Sequence, residues 1–213
     1  MKNQYILMGD VVDSESQASK PKLVEALNKQ VSHVNQKFKK TILSPLTITL
    51  GDEFQGVLAD PVSLCSALFE LEESALTNPA SYTLRYSAYL GPIDTALNNK
   101  AAHGMYGKGL TIARKRLEAM KTKKFRFNID FIQLDVTQHL QLLFGIYQST
   151  KDKWSPSHYE LINHYLSHPD YNSLYEAGFY KTKAGAWKIV QSLGLHDYLN
   201  IKKLIFQTLT WLH

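Results

Sequence analysis

Cysteine is almost missing from this chain. Cys65 is the only one in 213 residues, which excludes an internal disulfide and any cysteine-based zinc site. Set among Leu64, Leu68 and Phe69, it reads as a small core residue. No apolar run approaches the roughly 18 residues of a membrane span. The opening MKNQYILMGD has neither the apolar stretch nor the cleavage site of a signal peptide, so the protein is expected in the cytoplasm. The eight histidines show no zinc-protease spacing. His164 and His168 lie four apart, but Pro169 follows at once and no glutamate accompanies them, so they read as surface residues. There is no Gly-x-Ser-x-Gly elbow and no Walker loop. Gly104, Gly107 and Gly109 punctuate one loop, yet they neither follow a strand directly nor keep the spacing of a dinucleotide fingerprint.

What is present is an ordinary globular composition, 44% hydrophobic, long enough for one domain and a smaller second one. The net charge of +5 permits a nucleic-acid or phosphate partner without demanding one, because basic patches matter more than totals. The densest patch is Arg114, Lys115, Arg116, Lys121, Lys123, Lys124 and Arg126, interrupted by Glu118. It reads first as a solvated helix face and its following turn.

Taken in order, Tyr5 to Met8 is a short apolar strand ending at Gly9-Asp10-Val11-Val12-Asp13-Ser14, and it delivers Asp10 near its end. Ser14, Ser16 and Ser19 supply helix caps and Pro21 suits a first turn. Leu23, Leu27, Val31, Val34 and Phe38 then form an apolar helical stripe, and Pro45 ends the connection. In Leu46 to Leu58, LTITLGDEFQGVL, residues 46–50 alternate with period two, Gly51-Asp52-Glu53 makes an acidic tip, and Phe54, Val57 and Leu58 continue the apolar character beyond it, as in a short hairpin. Asp60-Pro61 starts a second helix that stops near Asn78-Pro79, and Tyr82 to Leu90 is a further strand. Strand, helix, strand, strand, helix, strand is the ferredoxin-like βαββαβ order, in which the first strand lies beside the third. That pairing places Asp10 next to Asp52. A third helix through Leu110, Ala113, Leu117 and Met120 follows, then a strand within 125–132 and a helix over 137–147.

The polar, proline-ended QSTKDKWSP at 148–156 marks a domain boundary, dividing the chain into 1–150 and 151–213. Beyond it the pattern predicts helices over 157–166, 172–177, 186–193 and 198–212, with Gly178 as a stop and Thr182 as a cap. Short helices about a tight turn suggest a small all-α, helix-turn-helix-like domain. Lys181, Lys183 and Lys188, with Lys202 and Lys203, are then candidates to meet the phosphates of duplex DNA. Trp187 is more often a core residue than a base contact, and a protein-interaction bundle is the alternative.

Two carboxylates on adjacent strand ends suit a pair of hard divalent cations, magnesium or manganese, which take oxygen ligands and clamp a phosphoryl displacement. Asp10 and Asp52 are therefore the candidate metal ligands, with Asp13 and Glu53 as auxiliary acids or plain turn residues. The backbone amides of Val11, Val12, Asp13 and Ser14, leading to a helix, would suit a nucleoside triphosphate.

These stretches resemble a known group. Gly9 to Ser14 and Leu50-Gly51-Asp52-Glu53-Phe54 are similar to the two metal-binding aspartate motifs of class III nucleotidyl cyclases, and the second also resembles the central motif of diguanylate cyclases. Leu84 to Pro92 looks like the strand that follows in cyclases. Tyr106-Gly107 through Leu117-Glu118 resembles their tryptophan-glycine loop and the helix carrying asparagine and arginine. Where cyclases carry that asparagine and arginine, this chain has Thr111 and Lys115, or Arg114 or Arg116 on a one-residue shift. The resemblance implies an α+β, palm-like domain in which Tyr106 and Thr111 contact a nucleotide, Lys115, Arg114 or Arg116 takes a phosphate in catalysis, and two palms meet as a homodimer. The whole chain, a cyclase-like palm with a helix-turn-helix-like tail, most resembles the SatD family of small bacterial proteins, which implies a regulatory protein. The alternative is a DNA-binding regulator whose palm is only a dimerisation scaffold.

Overall fold

The structure, a computed structural model, describes residues 2–14, 19–49, 51–77 and 82–212. Ser16, Leu50, Asn78 and Pro79, which carry a cap, a strand end and a helix stop in the sequence reading, lie outside them. The architecture is α+β. Among the described residues a five-stranded mixed sheet is combined with eight α-helices. The strands are β1 (Lys2–Val11), β2 (Ile42–Ile48), β3 (Glu53–Leu58), β4 (Leu84–Ile93) and β5 (Phe127–Asp130), in the order β2-β3-β1-β4-β5. β1 runs antiparallel to β3 and to β4, β2 antiparallel to β3, and only β5 is parallel to its neighbour.

β1 is buried from Ile6 to Val11 because both sheet faces are covered. That is why it reads as an apolar run instead of alternating. On one face, α1 (Lys20–Lys37) and α2 (Pro61–Ser74) bring Leu23, Leu27, Val31, Leu64 and Leu68 onto Leu7 and Leu58. On the other, α3 (Lys108–Ala119) and the loop before it set Leu110, Ala113, Leu117 and Met105 against Ile6, Met8 and Val57. The helix starts follow local chemistry. Asp60 caps α2 by accepting from the Ser63 amide at 2.7 Å, and Pro21 sits in the first turn of α1, where its missing N–H costs nothing. Pro45 does not end a connection as expected. It lies inside β2, an edge strand whose pairing with β3 shifts register between Ser44 and Thr47, and an edge tolerates the lost donor.

Gly107, just before α3, and Gly109, in its first turn, serve packing. A Cβ on Gly109 would stand 2.7 Å from the Gly91 carbonyl carbon and the Pro92 oxygen, so only glycine lets α3 approach the β4 backbone this closely.

The later helices are α4 (Leu134–Lys151), α5 (Tyr159–Ser167), α6 (Tyr171–Glu176), α7 (Lys183–Ser192) and α8 (Leu195–Leu209). α4 extends beyond the expected 137–147 at both ends. Gly178 adopts φ +81° after α6, and the Thr182 side chain accepts from the Gly185 amide at 3.1 Å to start α7, both as the sequence foretells. The stretch 148–156, expected as the domain boundary, carries buried residues. Gln148, Thr150 and Trp154 are buried, the Trp154 indole donates to the Leu193 carbonyl at 2.9 Å, and the Tyr147 and Tyr198 hydroxyls meet at 3.0 Å. One hydrophobic cluster runs from Leu7 through Phe144 and Tyr147 to Tyr198 and Ile205, so α8 shares the core of the sheet. Among the described residues no helix is long and apolar enough to cross a membrane.

Candidate functional site

Asp10, one residue before the end of β1, stands directly opposite Glu53 on β3 and Arg85 on β4. Strand alternation puts it on the same side as Ile6 and Met8, the side covered by α3. The chain then turns through Asp13, which holds φ +51°, a conformation aspartate tolerates better than most residues. The neighbouring hairpin tip supplies Asp52, whose carbonyl accepts from the Val11 amide at 3.1 Å. A cavity of about 430 Å³ opens here, lined by Asp10, Val11, Asp13, Ser14, Asp52, Arg85 and Lys121. The Ser14 hydroxyl donates to Asp52 Oδ2 at 2.5 Å. Asp10, Asp13, Ser14 and Asp52 are thus brought together from two separate stretches.

Arg85 is the member that the sequence reading did not single out. Its Nη1 lies 3.2 Å and 3.1 Å from the two Asp10 carboxylate oxygens, and both residues are almost fully buried. Its Nε, also buried, has no hydrogen-bond partner among the described residues. The available signal was a single charge in an otherwise uncharged strand, YTLRYSAYL. Lys121, in the turn after α3, lies 3.8 Å from Asp10, 3.7 Å from Glu53 and 2.9 Å from Glu118. Burial pushes the Asp10 carboxyl up to about 6, against the pull of Arg85 and Lys121. The hydrogen bond to Glu118 leads in raising Lys121 above the usual lysine range.

The other expected nucleotide residues gather elsewhere. Tyr106, Thr111, Arg114 and Lys115 line a second cavity of about 580 Å³, floored by Met8, Met105 and Leu110. Arg114 reaches Glu53 at 3.6 Å, so an acid–base ridge of Glu53, Arg114, Glu118 and Lys121 separates the two cavities. Two expectations change here. The Val11 and Val12 amides do not await a triphosphate; they donate to the carbonyls of Asp52 and Thr83 at 3.1 Å and 2.8 Å, continuing the sheet. Arg116 faces away from both cavities, pairing with Asp130 at 2.5 Å and covering the Tyr89 ring at 4.8 Å.

The basic patch also divides. Arg126, expected on a solvated face, is buried. Its Nη1 lies 3.4 Å from the Glu72 carboxylate and donates to the Leu84 carbonyl at 2.6 Å. In the C-terminal part Lys181, Lys183 and Lys188 are exposed, and Trp187 on α7 is 49% exposed instead of packed in the core. Lys183 lies over the Tyr175 ring at 5.9 Å. Lys202 is not free for a phosphate, since it pairs with Glu73. The rings of His164 and His168 lie tilted by 30° with their centroids 4.9 Å apart.

Among the described residues no group of three or more His, Cys, Asp and Glu side chains is arranged to hold a metal ion. The donors of the first cavity are nonetheless all hard oxygens. Three carboxylates, Asp10, Asp13 and Asp52, face two cations, Arg85 and Lys121, so the cavity carries a net negative charge and suits a hard divalent cation chemically. Asp52 and Asp10 would hold it, Asp10 only after releasing Arg85.

Compared with protein families, residues 5–201 match the model described as SatD family. The match spans the sheet, the cavities and the helices to the middle of α8. A search of curated proteins finds no match to the chain.

Proposed function

The chain belongs to the SatD family, and from that premise we propose that it binds a nucleotide together with magnesium or manganese and that occupancy of the site acts on the C-terminal helices. The observation that carries this reading is the meeting of Asp10 and Asp52, from adjacent strand ends, in one cavity. In this reading 1–150 is a ferredoxin-like, cyclase-like palm, supported by the β1-α1-β2-β3-α2-β4 order and by β1 lying between β3 and β4. Residues 151–213 are the helix-turn-helix-like responder. The metal, when bound, neutralises phosphate charge and polarises a phosphoryl oxygen. Asp52 and Asp10 position it, and Lys121 stands at the rim as a cation for the phosphates.

Arg114 and Lys115 belong to a cavity on the far side of the Glu53 ridge. A nucleotide that uses both sets of residues draws one set from each of two copies, which makes a homodimer the form competent for nucleotidyl transfer. The link to the C-terminal helices runs through the start of β4. The Thr83 carbonyl accepts from Val12 beside the cavity, and the Leu84 carbonyl accepts from Arg126. Arg126 in turn shares Glu72 with Lys151 at the end of α4.

Calorimetric titration of the full chain tests this. A nucleoside triphosphate should bind saturably only with magnesium or manganese present, and Asp52→Asn should weaken binding by about tenfold or more, because one of two anchoring carboxylates is lost. Folded protein showing no binding with either metal would refute the reading.

A second reading, a DNA-binding regulator with the palm as scaffold, is favoured by one observation: the exposed Trp187 shares α7 with Lys183 and Lys188. Mobility shifts with duplex DNA should then weaken steeply with salt, and replacing Lys181, Lys183 and Lys188 together by alanine should flatten that dependence by roughly 2 to 3 in log–log slope. Salt-insensitive or undetectable binding by the full chain counts against it.

A further inference from the structure

We propose that Arg85 is a built-in counter-cation that holds Asp10 shut, so that a divalent cation enters only by displacing the guanidinium. The inference rests on the metal site proposed above and adds its gate.

Three observations carry it. First, the register of β1 and β4 sets Asp10 and Arg85 side by side, with no intervening residue to relay the charge. Asp10 is only 2% exposed, and both of its oxygens already face Arg85 Nη1. A metal that takes Asp10 as a direct ligand therefore competes with the guanidinium for the same two oxygens.

Second, the pair is not the strong kind. Arginine binds carboxylate best side-on, through two parallel N–H donors from different nitrogens. Here one nitrogen straddles both oxygens at 3.1–3.2 Å, and the buried Nε has no hydrogen-bond partner among the described residues. A buried ion pair loses much of its attraction to desolvation, so exchange is favourable once the metal takes over Asp10 and the departing guanidinium meets water or an anion in the cavity.

Third, there is somewhere for it to go. Arg85 itself lines the cavity that Asp52, Asp13 and Ser14 share. Exchange leaves the carboxylates neutralised by the metal and exposes the guanidinium donors to whatever anion accompanies it. Asp10 stays compensated throughout, which a buried carboxylate requires. Built this way, Asp10 stays paired when no metal is bound, so metal arrival and the movement of the Arg85 side chain are a single event. Because β4 also contacts Arg126, that event is positioned to reach the C-terminal helices.

The test uses the full chain and manganese alone, followed by electron paramagnetic resonance, with wild type compared against Arg85→Gln. Glutamine fills part of the space without competing as a cation, so it should bind manganese tighter than wild type by on the order of tenfold to a hundredfold. Manganese should also raise its unfolding temperature more than that of wild type. A measurement on the unaltered protein guards against a variant that does not fold. The Arg85 side-chain nitrogen resonances should shift as magnesium is added, and this shift should be absent in Asp52→Asn at the same concentration. Equal manganese affinity in wild type and Arg85→Gln, or Arg85 resonances unmoved by bound magnesium, would overturn the exchange while leaving the metal site standing. No manganese or magnesium binding by any form would remove the metal site and the exchange together.

Discussion

Glu72→Ala is expected to destabilise the protein by about 3–5 kcal/mol, the usual consequence of removing one side of a buried ionic cluster. Glu72 is 3% exposed on α2. Its carboxylate accepts from the Tyr86 hydroxyl of β4 at 2.9 Å, faces Arg126 Nη1 at 3.4 Å and pairs with Lys151 at the end of α4. Lys151 also donates to the Glu72 backbone carbonyl at 2.9 Å. Truncation takes the shared carboxylate from two cations where α2, β4 and α4 meet, leaving Lys151 the residue-72 carbonyl and Arg126 the Leu84 carbonyl and the Asp152 carboxylate 3.6 Å away. Urea unfolding measures the loss, and a cost below about 1 kcal/mol would show that the cations find other partners or water.

The same cluster sets an acid limit. Burial alone would raise the Glu72 carboxyl, but Lys151 first and Arg126 second outweigh it and hold the group down to about 2 from its ordinary 4.5. Burial pushes Lys151 below its own usual range. In the acid window that ammonium is protonated, so the carboxylate decides the outcome. A carboxylate with a depressed folded-state pKa gives stability that is complete above its unfolded value and lost as the pH falls through the folded one. Wild type should therefore lose about 3 kcal/mol from this group as the pH drops from about 4.5 to about 2. Glu72→Ala should lack that segment of the curve, a difference that a purely packing role would not produce.

Phe127→Ala is the second large effect, expected to cost about 3–5 kcal/mol. Phe127 opens β5 and is fully buried. Its ring stacks on Tyr86 at 5.5 Å, tilts against Phe144 at 5.2 Å and meets Tyr147 edge-on at 5.5 Å, while Arg126 lies over it at 5.0 Å. It is the aromatic wedge between the sheet and α4. The void cannot be filled from β4, which is fixed by its own ladder, so the cavity cost adds to the lost transfer energy. Phe127→Leu should cost less, about 1.5 kcal/mol or under. Hydrogen exchange should locate the loosening in α4 and α8 before β1. Uniform loosening, or a cost equal to that of the leucine variant, would mean that the wedge does not join these layers.

Much of the secondary structure was legible because short-range physics writes it: period two in the hairpin around Asp52, a stripe of apolar residues in α1, an Asp-Pro start for α2, a threonine cap for α7. The neighbourhood of Asp10 and Asp52 was legible too, since a βαββαβ order places the first strand beside the third. Other features were not. Pro45 reads as a breaker until β2 is known to be an edge. Trp154 reads as part of a polar domain boundary because its neighbours are polar, although it is buried and its indole donates to the Leu193 carbonyl. Arg126 reads as one more surface cation in a basic run, and nothing local says that Glu72, far away in the chain, will be buried beside it.

The sequence by itself determined which stretches become strands and helices and which two aspartates share a cavity, because periodicity, caps and connection order act over neighbours or follow from topology. Only the tertiary structure decided what surrounds those aspartates. Arg85 takes Asp10, Val11 and Val12 spend their amides on the ladder, Arg116 turns to Asp130, and the ridge at Glu53 parts the site in two. These outcomes depend on cross-strand register and on which charges lose their water. A linear sequence gives both only weakly, since a one-residue slip would reverse every side chain involved.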